Sequence, residues 1–211
     1  MEKLGGCDLE GIIFLGVAWV IWIIATFFIK RTSKDRFKIA FIVLLLIILS
    51  PFETSFFDFQ FNAAAVFLYL YLLVEVAYLN RKTGYYLFLS TLILMLAYVS
   101  FLLMELYDPI LVIFERKWMV SFILVYLCLL LEDNKKLRYY SILIGTLHGE
   151  LIFSFILKKI TLTYPVGTFP FFDTIASALI LLSAWTVLEF ATVFLELQTN
   201  HLGRGKQKSY E

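Results

Sequence analysis

Residues 139–157 read YYSILIGTLHGELIFSFIL, and this stretch decides the fold. A helix rises about 1.5 Å per residue and bilayer hydrocarbon is about 30 Å thick, so about 20 apolar residues cross it. The stretch is long enough, yet it carries His148 and Glu150 near its middle. A carboxylate at that depth costs about 3 kcal/mol on insertion scales and normally faces protein or a water-filled cavity. Helical periodicity sorts the polar groups into two stripes. Ser141, Gly145, His148 and Gly149 share one side; Thr146, Glu150 and Ser154 share another. His148 and Glu150 lie about 200° apart around the helix, so they cannot pair on it and each needs a partner elsewhere. Polar groups on two sides call for a helix surrounded by other helices. Gly145 and Gly149, four apart, let a second backbone approach closely, or simply admit a bulky neighbour such as a Phe ring.

The rest of the chain fits that environment. Its 211 residues are 61% hydrophobic with mean hydropathy +0.86, too little polar surface to coat a water-soluble domain. Charges cluster between apolar runs of about 20 residues, as membrane spans require. The pattern predicts an all-α polytopic transmembrane bundle of seven spans. They lie near 11–29, 39–57, 61–79, 85–104, 109–131, 139–157 and 173–195, and a polar cytoplasmic tail follows at 196–211, disordered from His201. The apolar run of span 2 stops early, at Ser50-Pro51. Either the helix kinks there and continues to about Phe57, or it breaks and the chain lines a cavity. The kink is the favoured course, because Phe52, Phe56, Phe57, Phe59 and Phe61 resemble an interfacial aromatic zone. Asp108-Pro109 is a helix-start signal, which favours a span from 109 over a shorter one from Trp118. Arg116 and Lys117 would then snorkel to the outer interface. Residues 161–172 hold Pro165, Gly167 and Pro170 and read as a loop.

Orientation follows from the basic residues between spans. With the N-terminus outside, the inner segments hold Lys30, Arg31, Lys34, Arg36, Lys38, Arg81, Lys82, Lys135, Lys136, Arg138, Arg204, Lys206 and Lys208. The outer ones hold Lys3, Arg116, Lys117, Lys158 and Lys159. Thirteen against five predicts N-out, C-in. On that topology Cys7 and Cys128 lie on opposite sides, beyond disulfide reach, and both are expected to be free thiols.

Among the carboxylates within spans, the candidates are Glu75, Glu150 and Glu189. Glu75 lies near the end of its span on a stripe with Tyr71 and Tyr78. Glu189 lies near the inner end of span 7 on a stripe with Trp185 and Thr192. Both read first as hydrogen-bonded structural groups. Glu150, with His148, heads the candidates for an intramembrane proton site. His148 reads by default as a neutral hydrogen-bonding core residue. No metal or other cofactor is implied: the other His is His201 in the tail, and His-Gly-Glu is not HExxH. GxSxG, P-loop and spaced-Cys motifs are absent, and span 7 has no Lys for a retinal Schiff base. A net charge of +1 gives no reason to expect nucleic-acid binding. The expectation is a non-enzymatic multipass protein embedded in the lipid bilayer. It would act through a membrane-protein partner, a second copy of itself, or an envelope role. The alternative is a small proton-linked transporter or channel using Glu150, His148, Glu189 and Glu75.

Gly11-Ile-Ile-Phe, Trp19-Val-Ile-Trp22 and Thr26-Phe-Phe-Ile-Lys30 in span 1, with Ser50-Pro51 ending the run of span 2, resemble the YphA-type family of small bacterial integral membrane proteins. The resemblance covers nearly the whole chain. It implies a bacterial cytoplasmic membrane, and it transfers no activity and no functional residues.

Overall fold

The computed structural model describes residues 10–29, 34–56, 59–108, 110, 114–160 and 164–207, with only the backbone path at 34–35, 56 and 195–207. Among the described residues, seven α-helices carry the fold: α1 (Ile12–Ile23), α2 (Lys34–Leu49), α3 (Ala63–Ala77), α4 (Arg81–Tyr107), α5 (Arg116–Leu131), α6 (Lys135–Lys159) and α7 (Phe169–Gln207). A π-helical turn, Ile24–Phe28, extends α1, and a hairpin of β1 (Glu53–Phe56) and β2 (Phe59–Asn62) separates α2 from α3. Three helices among the described residues are long and apolar enough to cross a membrane: α4, α6 and the Phe169–Phe194 part of α7.

Contacts at the helix ends set the directions. At one end, Arg116 at the start of α5 pairs with Glu105 near the end of α4. Asp173 in the first turns of α7 accepts from the backbone N–H of Gly11 and of Phe14, both at 2.8 Å. At the other end, Lys38 of α2 meets Glu75 of α3, and Arg138 of α6 meets Glu189 of α7. Consecutive helices therefore alternate in direction, and α4 and α6 run parallel. Their seam is regular. Ser141 faces Ser90, Gly145 faces Leu94 and Gly149 faces Tyr98, each partner lying 51 positions earlier. Between α5 and α7, Ser121 Oγ sits 2.6 Å from Ser177 Oγ and donates to the Thr174 carbonyl at 2.9 Å.

Asp173 supplies the acceptors that the first turn of α1 lacks, since the leading N–H groups of a helix have no intrahelical partner. Asp173→Ala is expected to lower stability by about 1–2 kcal/mol. Asp173→Asn, which keeps one acceptor oxygen, should cost less. Unfolding followed by circular dichroism in detergent measures both.

The expected kink at Pro51 is a break. Helix α2 stops at Leu49 and the chain turns into the hairpin. Proline has no N–H and its ring crowds the carbonyl four residues back. Two partners further along the chain take up freed carbonyls: Asn62 Nδ2 donates to the Ser50 carbonyl at 2.7 Å, and Ala63 N–H to the Phe52 carbonyl at 2.9 Å. The Phe cluster thus lies around a hairpin rather than along a helix, and Phe57 is outside the described residues.

Span 5 is also corrected. Helix α5 begins at Arg116, not at Pro109. Asp108 Oδ1 accepts from Ile110 N–H at 3.1 Å, as a capping Asp does, but ahead of α5 rather than at its start. Arg116 pairs with Glu105 at 3.1 Å. Helix α7 is longer than expected at both ends, from Phe169 to Gln207, so most of the expected polar tail continues a helix.

Candidate functional site

Glu150 is 0% exposed, and its two oxygens have different partners. Tyr98 of α4 donates to Oε2 at 2.7 Å, and Tyr164 donates to Oε1 at 3.0 Å. Tyr164 and Gly167 belong to the α6–α7 connection, which folds back onto the bundle. Its Val166 N–H donates to the Gln60 carbonyl at 2.8 Å, and its carbonyl accepts from Asn62 N–H at 2.9 Å. The connection thereby adds a short parallel bridge to the β-hairpin. Ser154, one turn beyond Glu150, donates to the Tyr164 carbonyl at 2.8 Å. Gly167 has φ +80°, and a Cβ there would run into Ala65, so this turn suits glycine alone.

The site extends through Tyr164 to charge. The Arg116 guanidinium stands in the electrostatic neighbourhood of Tyr164 and pairs with Glu105. A continuous line of polar groups results: Glu105, Arg116, Tyr164, Glu150 and Tyr98. Burial first, then the Glu150 carboxylate beside it, push the Tyr164 phenol well up from its ordinary value. Its hydrogen therefore stays available to Glu150.

His148 points elsewhere, as its angle around α6 requires. Its Nε2 lies 3.0 Å from the Tyr69 hydroxyl on α3, and the two rings meet edge to face at 5.4 Å between centroids.

The remaining carboxylates lie at the opposite end, in two clusters. Glu75 is bonded by Lys38 and by Tyr71 at 3.1 Å. Tyr78, from its expected stripe, is 84% exposed and makes no part of it. Glu189 Oε1 accepts from Trp185 Nε1 and from Arg138 Nη1, both at 2.7 Å, and its Oε2 lies 3.5 Å from Lys135. Thr192 bonds the Glu189 backbone carbonyl rather than its side chain. The candidate residues Glu150, His148, Glu189 and Glu75 do not converge. Among the described residues, no three of His, Cys, Asp and Glu stand together as metal ligands.

Gly145 and Gly149 both face α4. An added Cβ at Gly145 would lie 3.1 Å from the Thr91 carbonyl oxygen and 2.8 Å from Leu94 Cβ, a close backbone approach. At Gly149 it would meet the Tyr98 ring at 2.6 Å, so this glycine admits the aromatic that holds Glu150.

Of the residues that carry these networks, Tyr98 and Tyr164 drew no notice in the sequence, and Arg116 and Arg138 entered only as basic residues near the interfaces. Tyr98 offered one signal, a hydroxyl near the middle of an apolar run. The others read as ordinary loop or interface residues.

A bundle of apolar helices with buried, mutually paired polar groups defines a helical membrane protein, and the comparisons agree. A profile of the YphA-like integral membrane protein family matches residues 10–208, and the chain belongs to this family. It is 29% identical over 164 residues to the uncharacterized protein YphA of Bacillus subtilis (strain 168), covering 78% of this chain and 81% of that one. No solved structure matches.

Proposed function

We propose that the chain is a seven-span protein of the bacterial cytoplasmic membrane, N-terminus outside and C-terminus inside. It works without catalysis, through contact with another membrane protein or in maintaining the envelope. The alternating helix directions support seven crossings. Because α4 and α6 run parallel, the segment between them has to return, so the short α5 and its approach also traverse. The thirteen-to-five bias in basic residues supports the orientation.

The sealed state of Glu150 carries the non-transport reading. A proton carrier needs a carboxylate that meets water, whereas this one is closed off by two phenols and a re-entrant loop. Its role on this reading is to pin α4, α6 and the returning loop together. The competing reading, proton-linked transport, draws on one observation: the polar line from Glu150 through Tyr164 and Arg116 to Glu105.

Liposomes containing a pH-sensitive dye and either wild type or Glu150→Gln separate the two. Neither protein is expected to pass protons under an imposed pH gradient, with or without a membrane potential. Flux in wild type that Gln abolishes, at equal folding, replaces the proposal with transport. Turnover of a lipid or peptide by the purified protein would remove the non-enzymatic part.

Orientation needs introduced thiols. Cys128 is buried, its Sγ bonded to the Arg138 carbonyl at 3.3 Å, so its silence toward a reagent says nothing about sides. Cys7 is outside the described residues. In a Cys7→Ser background, Ser55→Cys on the exposed hairpin should react with an impermeant maleimide in intact cells. Lys82→Cys, at the exposed start of α4, should react only in inverted membranes. The reverse pattern overturns the orientation.

A further inference from the structure

The end of α1 departs from α-helical geometry. Ile24–Phe28 is a π-helical turn, and Ile29 after it is extended. Such turns are uncommon and gather at functional positions. The Thr26 carbonyl at this turn accepts from Arg36 Nη2 of α2 at 2.7 Å. Around the pair lies an open groove of ≈ 320 Å³ lined by Thr26, Phe27, Ile29 and Arg36.

Two chemistries meet here. A guanidinium carries five N–H donors in a planar fork suited to phosphate oxygens. Among the described residues, Arg36 spends one hydrogen bond, on Thr26. Beside it Phe27 and Phe28 are 74% and 79% exposed, apolar surface at the end of a helix. The connecting sequence adds charge: Lys30, Arg31, Lys34, Arg36 and Lys38 against Asp35 alone. Of these, Lys38 is already engaged by Glu75. A ligand that suits the groove has a phosphate for Arg36 and hydrocarbon for the two rings.

We propose that this groove binds an anionic phospholipid, with Arg36 gripping the headgroup phosphate and an acyl chain lying along Phe27 and Phe28. A zwitterionic lipid presents the same phosphate with a cation beside it, which Arg36 repels. The site rests on the reading of α1 and α2 as membrane-crossing, and flotation of the protein with liposomes checks that separately.

The experiment uses purified full-length protein in a neutral detergent, with short-chain fluorescent phosphatidylglycerol and phosphatidylcholine as probes. Phosphatidylglycerol should bind about tenfold or more tighter than phosphatidylcholine, and Arg36→Gln should erase that preference. Phe27→Glu leaves the Arg36–Thr26 bond in place but sets a like charge beside the phosphate, and it too should weaken phosphatidylglycerol alone. It keeps the test decisive if Arg36→Gln unfolds. Equal binding of the two lipids, or full preference retained in the folded variants, overturns the proposal. Complete competition by millimolar inorganic phosphate would assign the groove to free phosphate and overturn the lipid. Failure to float with liposomes would instead strike at the membrane-crossing reading.

Discussion

Glu150→Leu is expected to destabilise the protein by about 2–6 kcal/mol, because it strands two buried hydroxyls at about 1–3 kcal/mol each. Leucine fills similar space, so the loss reports the missing acceptors rather than a cavity. Glu150→Gln keeps one carbonyl acceptor and offers an amide to the other phenol, and should cost about 1 kcal/mol. The order Leu far worse than Gln is the signature of a hydrogen-bonded pin. Unfolding in mixed micelles of mild detergent and dodecyl sulfate, followed by circular dichroism, gives the comparison. Tyr98→Phe and Tyr164→Phe should each lose a fraction of the Leu effect. A double-mutant cycle of either with Glu150→Gln should show coupling, since all three groups share one network. Equal costs for Leu and Gln would mean that the phenols find other partners.

The second large effect is at Gly145. Its substitution by valine drives a branched side chain into the Thr91 carbonyl, 3.1 Å from where the Cβ alone would sit, and into Leu94. A flexible side chain could swing aside, but backbone cannot, so α4 and α6 must part. Overpacking of this kind costs about 1–3 kcal/mol. Because Ser90–Ser141 and Tyr98–Glu150 lie along the same seam, the damage should spread to both. Gly149→Ala should be milder, since it adds a single methyl and meets only a side chain, Tyr98, rather than backbone. The same detergent titration reads both. If Gly149→Ala is the worse of the two, the ring of Tyr98 is the more rigid wall.

What the sequence reveals here is what depends on neighbours along the chain. Long apolar runs separated by charge foretell helices, and angles around α6 foretell that His148 and Glu150 look in different directions. The breaks and pairings obey distant partners instead. Ser50-Pro51 signals an interruption, but break and kink differ by whether freed carbonyls find donors, and Asn62 supplies one only after the hairpin has folded. Residues 161–172 carry loop chemistry, and nothing local says that Tyr164 turns inward to reach a carboxylate. Arg138 reads as one more basic loop residue, yet its side chain is largely buried against Glu189. Asp173 reads as the start of a helix, whereas its carboxylate serves another helix 162 and 159 positions earlier.

The parallel seam also bears on the order in which the protein is made. Tyr98 precedes Glu150 by 52 residues, whereas Tyr164 follows it by 14. Chains emerge N-terminus first. On the proposed topology, α6 enters the bilayer carrying its carboxylate when α4 already stands there and the returning loop does not yet exist. The glycines of α6 let it settle against α4 at once and deliver Glu150 to a waiting phenol. Helix α4 is thus a docking rail for its successor during synthesis, and Tyr164 closes the latch afterwards.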